Sequence, residues 1–269
     1  MASLIPSLCI KNKGERPTNV MLRLTAARKR IILRLTGGCG FMSPEDALGL
    51  EDLFRASLAG FEGALLFGGT RMLSRSKSNA CLTEDGNEGD PAPYSSLTIP
   101  PARAVVPGIT EIACLIRRDN PGCVMLGVVP RTGEMQITAD GLVVSDNESE
   151  PYQTIIHPEQ DVCLLVQENA DDPSPWDAEW QECVRITQDL RTLAAWTSLL
   201  VVYNGGGTTE REVVATAKRG WPVLLIRGSG RAADKLAEDE QFRQLYPNVR
   251  TADRTISSMR DELTALGAF

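Results

Sequence analysis

Six stretches of this chain are near-continuous apolar runs of strand length: Arg30 to Thr36, Ala64 to Phe67, Val124 to Val129, Asp161 to Val166, Ser198 to Tyr203 and Pro222 to Ile226. Their hydrophobicity does not alternate, so both faces of each strand must be covered. That is the signature of a parallel sheet wrapped by helices. Helical stretches separate most of the runs. Leu48, Leu50, Leu53, Phe54 and Leu58 form a one-sided stripe after Ser43-Pro-Glu-Asp46. In that start Ser43 can cap and Pro44 suits the first helical position. The expected fold is α/β, a Rossmann-like doubly wound, mostly parallel sheet flanked by helices, in a single domain with a long insertion. A chain of 269 residues, 42% hydrophobic, can bury such a core without disulfides or metal.

The expected boundaries are an N-terminal arm over 1–29, with a short strand at Val20 to Leu24, and the domain over 30–269. Residues 71–106 lose all periodicity and read as a mobile insertion above the ligand edge. Pattern resumes at Pro107-Gly108-Ile109, which opens a helix to Arg118. Short alternating segments between 131 and 157 suggest small hairpins, and a last helix fits Thr255 to Leu266.

Net charge is −7 and no basic run is dense enough to track a phosphate backbone, so nucleic acid is not an expected partner. The seven scattered cysteines form no CxxC pair and read as reduced thiols, which points to a cytoplasmic protein. No apolar run is long enough for a membrane span, and no signal-peptide core is present. His157 is the only histidine and has no His/Cys cluster around it, so its expected role is structural and no metal or cofactor is expected. Trp176 and Trp180 read as packing residues.

In a doubly wound sheet all strands point their carboxyl ends at one edge, where ligands bind. Glycine-rich turns land there: Gly37-Gly38, Gly68-Gly69-Thr70, Asn204-Gly205-Gly206-Gly207-Thr208-Thr209 and Gly228-Ser229-Gly230. With Gly108 and Arg231 these are the expected ligand-binding residues. Helices follow the turns, and their N-termini favour phosphate oxygens. None of the turns is a GxxxxGK[ST] loop or a complete GxGxxG, and no GxSxG occurs, so an ATPase, a nicotinamide dehydrogenase and a serine hydrolase have no support. Arg231 stands at a helix N-terminus, where a cation opposes the dipole unless Asp234 or a ligand phosphate answers it.

These residues together resemble the SLOG superfamily, in its prokaryote-like branch related to the N-terminal region of melastatin-type TRP channels. Four stretches carry the resemblance: Thr36-Gly-Gly before Met42-Ser43, Phe67-Gly-Gly-Thr70, His157 to Val166 with the Trp176 segment, and Gly220-Trp-Pro-Val-Leu-Leu-Ile-Arg-Gly-Ser-Gly-Arg-Ala-Ala-Asp234. The last is the most specific. The resemblance covers about residues 30–240 and implies a pocket for ADP-ribose, cyclic ADP-ribose or a related nucleotide-derived small molecule. In relatives such binding gates an attached effector. This chain shows none, so the resemblance implies signalling through a homo-oligomer or a separate effector protein. Asn204 to Glu212 also resembles the PGGxGTxxE motif of LOG phosphoribohydrolases, with Asn204 for proline and Thr208 for glycine. An alternative implied function is therefore nucleotide N-glycosidase activity with Glu212 as the catalytic residue. Arg71 is the nearest positional candidate for the arginine that such enzymes pair with it.

Overall fold

The computed structural model describes residues 7–11, 18–38, 44–74, 105–106, 108–131, 136–138, 141–145, 152–167 and 175–269. In chain order its elements are β1 (Ser7–Lys11), α1 (Thr18–Leu24), β2 (Ile31–Gly37), α2 (Pro44–Ser57), β3 (Ala64–Gly68), β4 (Thr70–Ser74) and β5 (Val105–Val106). Next come α3 (Ile109–Asp119), β6 (Val124–Arg131), β7 (Gln136–Thr138), β8 (Gly141–Ser145), β9 (Tyr152–Ile156), β10 (Val162–Gln167) and α4 (Pro175–Ala194). The last third holds β11 (Thr197–Tyr203), α5 (Gly207–Ala217), β12 (Val223–Arg227), α6 (Arg231–Glu238), α7 (Glu240–Leu245), β13 (Val249–Asp253) and α8 (Ile256–Ala265).

All six apolar runs are strands of one parallel sheet, in the order β1-β10-β6-β3-β2-β11-β12-β13. Period-two geometry sends their side chains to two faces. Leu33, Leu65 and Val201 pack under α2, α3 and α8. Ile32, Leu66 and Leu126 pack under α1 and α4, while Leu200 and Leu225 pack under α5 and α6. The result is three layers, helix on sheet on helix. In the α2 stripe Leu50, Leu53, Phe54 and Leu58 are buried as expected, but Leu48 is exposed.

The described residues among 1–29 differ from the expected arm. Residues 7–11 are an edge strand paired in parallel with β10, and residues 18–24 are a helix, not a strand. Val20 and Leu24 recur at helical spacing and are buried under the sheet, and that contact settles their conformation. The short segments between 131 and 157 do pair. With β4 and β5 they make a second, antiparallel sheet ordered β5-β4-β9-β8-β7. It grows from the carboxyl end of β3, because only Gly69 separates β3 from β4. Of the expected insertion, 71–74 and 105–106 are strands of this sheet, and 75–104 lie outside the described residues, as does Ser43.

Two glycines let β3 and β6 pass closely at this junction. A Cβ on Gly127 would sit 1.6 Å from Gln160 Oε1 and 2.6 Å from the Gly69 Cα. Gln160 cannot simply withdraw, since its amide donates to the Gly69 and His157 carbonyls. Gly127→Ala is therefore expected to destabilise the fold by about 1–3 kcal/mol, the usual range for overpacking. A urea unfolding curve with an unshifted midpoint would contradict this.

Candidate functional site

Chain order reverses between β2 and β11. From β2 the chain steps outward through β3 and β6 on one side, and from β11 through β12 and β13 on the other. Such a switch point opens a crevice at the carboxyl ends of the strands. A pocket of about 360 Å³ lies there, within the range typical of small-ligand sites. Thr36, Gly37 and Gly38 form its floor at the end of β2, and Gly68 and Thr70 one side. Ile109 and Thr110 of α3, Thr154 of β9, and Glu179 and Trp180 of α4 close the walls. Gly206, Gly207, Thr208, Thr209 and Glu212 come from the β11–α5 turn and α5, and Arg231 from the start of α6.

The predicted residues divide by what each does. Gly206 precedes α5 with extended backbone, and no side chain caps the helix. The first N–H groups of an α-helix lack intrahelical acceptors, so those of Gly207, Thr208 and Thr209 are available to an anion in the pocket. A Cβ on Gly207 would meet only Arg211 Nη1, at 3.6 Å. Glycine there is not required by packing.

Gly37 is required. A Cβ there would lie 2.1 Å from the Tyr203 carbonyl oxygen, so glycine is what lets β2 and β11 close at the switch point. Gly69 serves the β3–β6 contact and does not line the pocket, and Gly108 is buried at the start of α3. Asn204 and Gly205 both have positive φ, 57° and 90°, and turn their carbonyls under α6. Those carbonyls accept from the Ala233 and Ala232 N–H groups, so the first turn of α6 is satisfied from within.

The Gly228-Ser229-Gly230 turn is likewise self-contained. All three backbone N–H groups donate to the Asp234 carboxylate at 2.8–3.2 Å, and Ser229 Oγ accepts from the Asn204 N–H. None of these three residues lines the pocket. The turn instead delivers Arg231, whose φ of 49° is left-handed and costs a side-chain-bearing residue of order 1–3 kcal/mol. Its guanidinium lies across the pocket floor. A Cβ on Gly38 would be 3.3 Å from Arg231 Nη1, and one on Gly206 3.0 Å from Nη2.

Glu212 is 6% exposed and forms an ion pair with Arg34 of β2, itself 2% exposed. Arg34 Nη1 also donates to Thr216 Oγ1, at 3.2 Å. The arginine beside Glu212 is thus Arg34 and not Arg71. Arg71 holds Glu111 of α3 in two hydrogen bonds of 2.7 and 2.8 Å, and it lies 2.7 Å from His157 Nε2. His157 is fully buried, and its Nδ1 accepts from the Glu159 N–H. Desolvation pulls against Glu111, but the hydrogen bonds from His157 and Arg71 win and hold its carboxyl down at about 2. This cluster ties the antiparallel sheet to α3. Trp180 lines the pocket with its Nε1 donating to Asp177, more than packing alone.

Glu179 carries no motif, and reasoning from sequence passes it over. Its carboxyl occupies the space above Gly68, where a Cβ would lie 2.4 Å from Oε1. Burial, and then the negative Glu212, push it up to about 8. Arg34 carries a different signal that the sequence does show: a charge inside an apolar run demands a buried partner.

Cys114, Cys123, Cys163 and Cys183 are buried, and among the described residues no group of His, Cys, Asp and Glu could hold a metal ion. No helix of the described residues is long and apolar enough to cross a membrane.

Compared with known proteins, residues 118–263, more than half of the chain, match the family described as SLOG in TRPM, prokaryote. The chain is similar to the molybdenum cofactor carrier protein of Chlamydomonas reinhardtii, with 16% identity over 90% of this chain and 100% of that one and a TM-score of 0.46. It is also similar to the molybdenum cofactor binding protein of the phototrophic bacterium Rippkaea orientalis, with 17% identity over 89% of this chain and 98% of that one and a TM-score of 0.43. No curated protein matches the sequence.

The raised Glu179 sets a pH dependence of stability. The folded chain holds this proton to about pH 8, whereas an unfolded glutamate releases it near pH 4.3. Between those values the unfolded state binds fewer protons, so wild-type stability falls as pH rises. Glu179→Gln cannot ionise and should gain on wild type steadily between about pH 5 and 8 in chemical denaturation. Parallel curves for the two proteins would show that Glu179 is charged in the fold.

Proposed function

The chain belongs to the prokaryotic SLOG-in-TRPM family, and from that premise and the pocket we propose that it binds a nucleotide-derived ligand such as ADP-ribose or cyclic ADP-ribose. One observation carries the reading: the uncapped start of α5 and the Arg231 guanidinium converge on one cavity at the topological switch point. Both favour phosphate, the helix start through N–H groups and dipole, the guanidinium through paired charge-assisted bonds. The strained backbone at Arg231 supports it, since such strain clusters at ligand sites. A cytoplasmic binding module of this kind would report its ligand through a change of assembly or through a separate effector protein. In this reading Gly206, Gly207 and Thr208 hold the phosphate, and Gly37, Gly38, Gly68 and Thr70 admit the rest of the ligand.

A melting screen across adenine nucleotides tests it, because a ligand at 100 times its Kd adds ~2.7 kcal/mol. Gly207→Val should abolish the shift while the ligand-free melting temperature stays nearly unchanged. Normal binding by that variant would place the site elsewhere. Arg231→Ala should weaken binding by about 1.5–3 kcal/mol with stability flat or improved.

A second reading, nucleotide N-glycosidase activity, is favoured by the Arg34–Glu212 pair, which sets an arginine directly beside the glutamate of the GGGTTERE turn. Incubation with AMP, NAD and ADP-ribose decides it. Release of free base or ribose 5-phosphate that disappears in Glu212→Gln would make the protein an enzyme, and no release by wild type removes the reading.

A further inference from the structure

We propose that Glu179 serves the pocket as a neutral carboxylic acid that donates a hydrogen bond to an oxygen of the bound, phosphate-bearing ligand. The proposal rests on the nucleotide-binding reading and adds a residue that decides which protonation state of the protein binds.

Geometry supports it first. The Glu179 carboxyl lies against the carboxyl end of β3, in space that only a glycine at position 68 leaves open, and it faces the cavity. Among the described residues no cation is paired with it. Arg34, the cation beside the neighbouring Glu212, is already committed to Glu212 and Thr216. Arg34, Glu212 and Glu179 together are neutral only if one of the two carboxyls keeps its proton. Glu212 has the arginine, so Glu179 keeps the proton. The shift of Glu179 to about 8 agrees with this count.

Other charged groups nearby are spoken for. On its own helix Asp177 accepts from Arg211 at the rim, and Glu182 is paired with Arg185. Cys183 is pushed well up by burial and stays a thiol. Arg231 faces the cavity from the start of α6. A protonated Glu179 therefore meets an anionic ligand as a donor, with no charge of its own. An ionised Glu179 would put a second negative charge next to Glu212 and against the ligand, with only acceptor atoms to offer.

Calorimetric titration with ADP-ribose from about pH 6 to 9.5, in buffers of differing ionisation enthalpy, tests the proposal. The phosphates of this probe do not titrate in that range, so any proton taken up on binding belongs to the protein. Wild-type affinity should fall about tenfold per pH unit above pH 8. Close to one proton should be taken up per ligand at the alkaline end. Glu179→Gln, neutral at every pH and still a donor, should bind within a few fold of wild type at pH 6, with a flat profile and no proton uptake. Wild-type binding with a flat profile, or a Glu179→Gln profile that follows wild type, overturns the proposal and leaves the ligand reading standing. Absence of wild-type binding at every pH overturns both. Should Glu179→Gln fail to fold, the wild-type proton count decides alone.

Discussion

A charged pair inside an apolar sheet holds this molecule's working parts in register. Arg34 and Glu212 are almost fully buried, one in the central strand β2 and the other in the second turn of α5. Two charges taken out of water are tolerated because each answers the other, and removing either partner of such a pair costs about 3–5 kcal/mol. The pair does more than persist. Thr36, Gly37 and Gly38 follow Arg34 on one side of the switch point, and Thr209 precedes Glu212 by one turn on the other. The pair therefore fixes the floor of the pocket and the helix start above it as one unit.

A second polar cluster does the same for the opposite wall. Arg71, Glu111 and His157 join β4, α3 and the segment after β9, and their neighbours Thr70, Thr110 and Thr154 line the cavity. The antiparallel sheet is thus held to α3 by these hydrogen bonds, and to the parallel sheet by Val144 and Ile156 packed on Val129, Cys163 and Leu165. Between the two anchored walls, the residues free to respond to a ligand are the ones the fold leaves least satisfied: the first turn of α5 and the protonated Glu179.

Much of this was legible in the residues. Unbroken apolar runs announced the six inner strands, because burial on both faces leaves no room for alternation. The glycine turns announced the edge where the pocket lies. What glycine meant at each turn was not legible: Gly37 answers the Tyr203 carbonyl and Gly69 answers Gly127, and neither contact has a sequence signature. The outer strands were hidden for a different reason. β13 buries little beyond Val249 and Ala252, so its pattern carries no strong period. Asp234 could be read as a partner for Arg231 by helical spacing, yet its carboxylate is taken by three backbone N–H groups that only the folded turn presents together. Glu179 was invisible because its chemistry comes from Gly68 and Glu212, both distant in the chain.

The edge strand β1 has a consequence for how the chain is made. It pairs residue for residue with β10, Ser7 against Val162 and Lys11 against Val166. At a synthesis rate of about 5–20 residues per second, the first strand waits roughly 8–30 s for its partner to leave the ribosome. Closing so long a loop costs little more than closing a loop of half the length. Timing, not equilibrium, is the hazard: a five-residue strand with open hydrogen-bonding groups is exposed to other nascent chains before the sheet exists to receive it.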